Sequence, residues 1–370
     1  MAGTTPFERS ALASIAILTA LAGIADYQAW AVLPRFGLAT LALAGLAWVV
    51  SFATEQLGER FGPGITGMMQ STLGNLPELF VVIFALQKGE LVVAQTAIVG
   101  SVFANGLLVL GLVIVVGARR APDGVMRFSK RLPRDTATLL QVTAFIIVLL
   151  GLSLASHDPA SHHVKAISAV GAVCLLVVYI AWVVPYLRDD RPAGGEQAEQ
   201  ASARSTGEPA PAPSSGGPRL SLRLTLALLI LAGTASAFVS DWFVNGLEPA
   251  IVELHISQAF AGLVIVAIAG NAVENTAGLV LAYKGRSDLA ISVVKNSVAQ
   301  IAAFLFPLLV LISFALSTTL TFALAPVYIG ALVLTALALA QVTGDGEAAE
   351  FEGWALVALY IILGTLTLYE

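Results

Sequence analysis

Apolar runs of about 17 to 28 residues recur along the chain between short polar or basic loops, without the two-residue alternation of barrel strands. Each run is long enough to cross a hydrocarbon layer of about 30 Å as a helix rising 1.5 Å per residue. About eleven crossings are predicted, centred near Thr19, Gly45, Glu78, Phe103, Ile146, Leu176, Ile230, Gly270, Phe304, Leu332 and Ile362. Residues 188–219 break the pattern, being rich in Pro, Gly, Ala, Ser and Glu with no apolar period, and read as a disordered cytoplasmic linker. The linker separates an extra N-terminal helix (1–30) and a first five-helix repeat (31–187) from a second five-helix repeat (220–370). The predicted fold class is an all-α polytopic membrane protein. Because each repeat has an odd number of crossings, the two copies enter the membrane from opposite sides, as inverted repeats do.

Composition agrees. With 57% hydrophobic residues, 12% charged residues and a mean hydropathy of +0.86, the chain lies outside what a soluble domain can expose. The single cysteine, Cys174, cannot form an intrachain disulfide. The net charge of -5 comes mainly from loops and termini and points to no nucleic-acid partner. Basic residues carry more information. Arg119, Arg120, Arg127, Lys130, Arg131 and Arg134 crowd one loop, and Arg188, Arg191, Arg204, Arg219 and Arg223 flank the linker. Eleven crossings put both groups on one face, so the N-terminus is expected in the cytoplasm, with the chain in a bacterial inner (plasma) membrane.

Sliding the chain against itself by 196 residues, the separation of Gly74 from Gly270, superimposes Gly74, Asn75, Glu78, Lys88, Gly89 and Ser101 on Gly270, Asn271, Glu274, Lys284, Gly285 and Ser297. The shared pattern G-N-x-x-E places a carboxylate inside an apolar run twice. A charge in the bilayer interior costs at least about 2.5 kcal/mol, so each Glu marks function by default. Pro77 removes a backbone donor and is expected to free the Leu73 carbonyl, helped by Gly74. Gly270 should break its helix less sharply. Oxygens from Glu78, Glu274, Asn75, Asn271 and freed carbonyls suit hard cations such as calcium. In a poorly solvated site the two empty carboxylates repel, so a divalent cation and a pair of protons can compete for them. Ser101 and Asn105, with Asn296, Ser297 and Gln300, follow the two motif helices and can add neutral oxygens or simply pack and bond neighbouring helices.

These residues resemble the proton-coupled calcium/cation antiporters of the cation/calcium exchanger superfamily. The likeness is carried by Ala53-Thr54-Glu55-Gln56-Leu57, the run from Gly74 to Lys88, Gly100-Ser101 with Asn105, Ser240 to Glu248, and Gly270 through Pro307. It implies alternating access and expulsion of calcium against proton entry, with Glu78 and Glu274 as the metal-binding pair. By position it extends the site to Asn75, Asn271, Ser101, Asn105, Ser297 and Gln300, and raises Glu55, Asp241 and Glu248 as possible modulators on access paths. The expected partners are an inorganic cation, protons and the lipid bilayer, with the cation as transported substrate and no bound cofactor.

Two departures from the family pattern stand out. Lys295, beside Asn296, brings a positive charge next to the expected site, where Val99 occupies the matching place in the first repeat. Snorkelling to a helix end is its simplest role, with lowered occupancy by a divalent cation or service as a coupling charge the other two. Pro77 is the second departure. Enzymatic readings lack support, since the chain has no G-x-x-x-x-G-K loop and no H-E-x-x-H helix. A sodium or potassium/proton antiporter and a passive cation channel remain the alternative transport readings.

Overall fold

The computed structural model describes residues 4–58, 73–129, 131–188 and 219–370. The predicted linker and the approach to the first motif, residues 59–72, fall outside these. Helix α1 (Pro6–Tyr27) starts at a capping box in which Thr5 and Glu8 satisfy each other's backbone N–H groups. Next come α2 (Val32–Gly58), α3 (Leu76–Gln87) and α4 (Leu91–Phe103), which runs through a π turn (Ala104–Val109) into α5 (Leu110–Arg120). Strand β1 (Val125–Arg127), α6 (Arg131–Ser156) and α7 (Val164–Arg188) complete the first repeat.

The second repeat opens with α8 (Leu222–Leu254). Then α9 (Gln258–Phe260), a π turn (Ala261–Val266) and α10 (Ala267–Gly270) lead to α11 (Ala272–Tyr283). Helix α12 (Ser287–Gln300) passes through a third π turn (Ile301–Leu305) into α13 (Phe306–Ser313), and α14 (Pro326–Thr343), β2 (Glu347–Ala349) and α15 (Glu350–Leu368) close the chain.

The 196-residue offset read from the motifs holds for the elements themselves. It carries both ends of α3 onto those of α11, and the starts of α4 and α5 onto those of α12 and α13. The Lys-Gly turns match as well: Gly89 and Gly285 have φ of 85° and 74°, the left-handed region that glycine enters without penalty. The fold is all-α apart from one two-stranded ribbon and is built on two inverted repeats. Nine helices among the described residues are long and apolar enough to span a membrane, and a tenth span is bent by 60° between Gly270 and Glu274. Nine of the eleven predicted centres fall in those long helices and Gly270 falls at the bend. The last, Glu78, lies in the short apolar helix α3.

The repeats interleave. The α3 helix packs on α8 of the other repeat, and α11 packs on α2 and α5. At the centre, α4 crosses the π turn Ala261–Val266 backbone to backbone. A Cβ on Gly100 would lie 2.5 Å from the Cα of Leu263, and one on Gly262 would lie 2.9 Å from the Val93 carbonyl oxygen. Only residues without a side chain fit there. On the face carrying the basic loops, β1 pairs antiparallel with β2, matching Met126 with Ala348.

Gly100→Ala should lower the thermal midpoint of purified protein well below that of Gly37→Ala, whose new methyl meets nothing within 4 Å. Overpacking typically costs about 1–3 kcal/mol, so equal midpoints in a thermal unfolding assay would show that the crossing has slack.

Candidate functional site

Each G-N-x-x-E motif sits at a helix break, and in both copies the break falls on the asparagine. Asn75 (φ -87°, ψ 8°) precedes α3, and Asn271 (φ -105°, ψ 19°) separates α10 from α11. The second break bends its span by 60°, while the approach to the first lies outside the described residues, so the expected difference in sharpness has no counterpart to be measured against. Asn271 needs no proline, because its side-chain amide donates to the Ala267 carbonyl (2.9 Å) and to Ser101 Oγ (2.9 Å) on α4. Its Oδ1 accepts from Asn105 Nδ2 (2.9 Å), which also donates to the Ser101 carbonyl (3.0 Å). Three predicted site residues from two repeats therefore form one bonded cluster.

The two glutamates face the opposite copy's glycine. A Cβ on Gly74 would lie 3.2 Å from Glu274 Oε1, and one on Gly270 would lie 3.7 Å from the Cβ of Glu78. Each motif thus supplies a glutamate and leaves room for the side chain of the other's. Glu78 is 1% exposed and Glu274 is half-buried. Both oxygens of Glu78 lack a partner of hydrogen-bonding geometry among the described residues, although the Ser101 hydroxyl and the Glu274 charge act on it. Asn105 Oδ1 and Ser297 Oγ are also buried without partners. Buried polar groups are normally satisfied, which sets these oxygens apart from most of the described interior.

The remaining predictions scatter. Gly74 and Asn75 are buried and Leu73 is half-buried at the first break, and Gln300 is buried on α12 while Asn296 is only partly covered. Glu55 is exposed near the end of α2. Asp241 pairs with Lys88 (3.2 Å) just past the end of α3 and accepts from Asn245. Glu248 lines a separate cavity with Pro249, Val252 and Glu253. Nearby, Glu90 accepts from Gln258 (2.9 Å), and its carboxyl is raised above the usual range by partial burial and the Glu248 charge, against the pull of Lys88.

Lys295 contradicts its expected place. It does not snorkel, being fully buried, and it lies about 200° around the helix from Ser297, so it turns away from the carboxylates. Its Nζ donates to Thr343 Oγ1 (2.9 Å) at the last residue of α14. There the ammonium meets the negative end of that helix. Thr136 on α6 donates to the Lys295 carbonyl (3.3 Å).

Sequence reading missed two features. The π turns cradle Asn105 and follow Gln300, and such turns recur at functional sites. Ser240 on α8 donates to the Pro77 carbonyl (3.4 Å), so a third helix touches the first break.

Residues 32–186 and 224–369 match the family described as "Sodium/calcium exchanger protein". The chain belongs to the sodium/calcium exchanger family. Family relatives include a vacuolar calcium ion transporter of Schizosaccharomyces pombe, 30% identical over 345 residues that cover 92% of this chain and 80% of the relative. A second is the Ca(2+)/H(+) antiporter ChaA of Bacillus subtilis, 27% identical and covering 93% of this chain and 94% of its own. Among solved structures, native YfkE aligns with a TM-score of 0.77 at 24% identity over 97% of this chain and 100% of its own. The H+/Ca2+ exchanger CAX aligns with a TM-score of 0.72 at 16% identity, over 98% and 94%. These two structures share the exchanger fold.

Lys295→Met should leave the thermal midpoint unchanged or raised, because an apolar chain of similar volume removes a buried charge. Thr343→Val should lower it by about 1–3 kcal/mol of stability, leaving the ammonium without that acceptor. The reverse order of midpoints would mean that the ammonium has stronger support than Thr343 gives.

Proposed function

We propose that this chain is a secondary active antiporter that exchanges Ca2+ for protons at a single site built from Glu78 and Glu274. The observation that carries the reading is the reciprocal placement of the two glutamate side chains, each seated against the other motif's glycine, together with the unpartnered buried oxygens of Glu78, Asn105 and Ser297. Carboxylate, amide and hydroxyl oxygens make a hard donor set, which suits Ca2+ and leaves sodium or potassium as rivals. The names of the fungal and bacterial relatives favour calcium and protons.

In the proposed cycle, the doubly deprotonated pair binds the divalent cation, whose charge offsets theirs. When the cation leaves, repulsion between the bare carboxylates in a poorly hydrated interior drives proton uptake, one per Glu, and the neutral site returns. The bonds from Asn271 to Ser101 and from Asn105 to Asn271 hold the donor set while the repeats alternate between facing the two sides. In the cell, cytosolic calcium would leave through the bacterial plasma membrane as protons enter, with the N-terminus cytoplasmic. A channel would use acids as well, but it has no need of a titratable pair at paired helix breaks.

Proteoliposomes test the reading. Calcium uptake should follow an imposed proton gradient and reverse with it, while sodium and potassium should not compete at equal concentration. Glu78→Gln and Glu274→Gln should each reduce uptake to that of protein-free vesicles. Calcium flux indifferent to the proton gradient would favour the channel, and full activity with both substitutions together would refute the site.

A further inference from the structure

Away from the two glutamates, a cleft of about 940 Å³ lies between α1, α2 and α8. Its walls are apolar, from Leu12, Ala16 and Ala20 on α1 to Leu231 and Ala235 on α8. The alanines recess one wall, while Leu231 is 67% exposed, so the cleft opens sideways toward the surroundings of the bundle. Toward the far end the helices close together, since a Cβ on Gly23 would lie 2.8 Å from the Trp242 indole.

The near end has the opposite character. Arg9 lines the cleft, its guanidinium steadied by Thr4 through Nε to Oγ1 (3.0 Å) and Nη2 to the carbonyl (3.0 Å). Beside it Arg219 pairs with Glu8 (2.9 Å), and Arg223 stands exposed in the first turn of α8. Three arginines against one glutamate leave an excess of positive charge, and α1 and α8 both begin here with their positive dipole ends. A basic mouth on an apolar slot between membrane helices fits one class of molecule, with an anionic head and hydrocarbon tails.

We infer that this cleft binds one anionic phospholipid, its phosphate at Arg9, Arg219 and Arg223 and its acyl chains along Ala16, Ala20 and Leu231. The lipid fills the gap between α1 and the body of the exchanger and so braces α8, the helix that also touches the break at Pro77. This inference is independent of the cation reading, and either can fail alone.

The test is native mass spectrometry of protein taken from vesicles of equal phosphatidylglycerol and phosphatidylcholine. One phosphatidylglycerol should stay bound, preferred by roughly thirtyfold as expected for two basic contacts at about 1 kcal/mol each. Arg9→Gln with Arg223→Gln should erase the preference while some lipid stays bound, and Ala16→Phe, filling the slot from a lipid-facing position, should abolish retention. Added phosphatidylglycerol should raise the thermal midpoint of the native chain and not that of Ala16→Phe, which separates lost binding from lost folding. Equal retention of both lipids, retention by Ala16→Phe, or a dimer that buries the cleft would each overturn the inference.

Discussion

The close approach of α4 to the π turn Ala261–Val266 governs the rest of the structure. Gly100 and Gly262 let two backbones meet where any side chain would hold them apart. Because they meet, the short amide of Asn271 reaches Ser101 and Asn105 in the other repeat. Because that amide is bonded outward, the helix stays broken at Asn271 and Glu274 is aimed at Gly74 rather than at lipid. A missing side chain thus permits a hydrogen bond, the bond keeps a break, and the break orients a charge.

The architecture was largely written in periodicity and repetition. Apolar length gave most of the helices, and the 196-residue offset gave element boundaries that recur to the residue in α3 and α11. The glutamates, Asn271, Ser101 and Asn105 were legible because polar groups in apolar runs are conspicuous. What stayed hidden depends on distant partners. Lys295 lies 48 residues from Thr343, and nothing near it in sequence reveals that its charge ends at another helix's terminus. The π turns depend on neighbours that make an extra residue per turn worthwhile. The ribbon strands have three residues each, too few for an alternating pattern.

Repetition also shows where the copies part. By the offset, Asn105 corresponds to Ile301, so the bond that Asn105 makes to Asn271 has no possible mirror image. Ser101 accepts from an asparagine, whereas the Oγ of its counterpart Ser297 is unpartnered among the described residues. The first repeat's half of the site is bonded across the pseudo-symmetry, while the second's keeps a free hydroxyl.

The ribbon joining β1 to β2 is followed along α5 and α15 by the pair of Arg119 with Glu350 (2.7 Å) and by a contact where Gly111 and Gly353 each leave room for the other's carbonyl. Together these fasten α15, the last helix of the second repeat, to α5 of the first. The reverse loan is made by α6, whose Thr136 and Thr143 donate to the backbone of α12 and its π turn. The halves defined by sequence are therefore not the halves defined by attachment. A chain that arose by duplication is mechanically cross-braced, so relative motion of its parts must take place along seams that gene fusion did not draw.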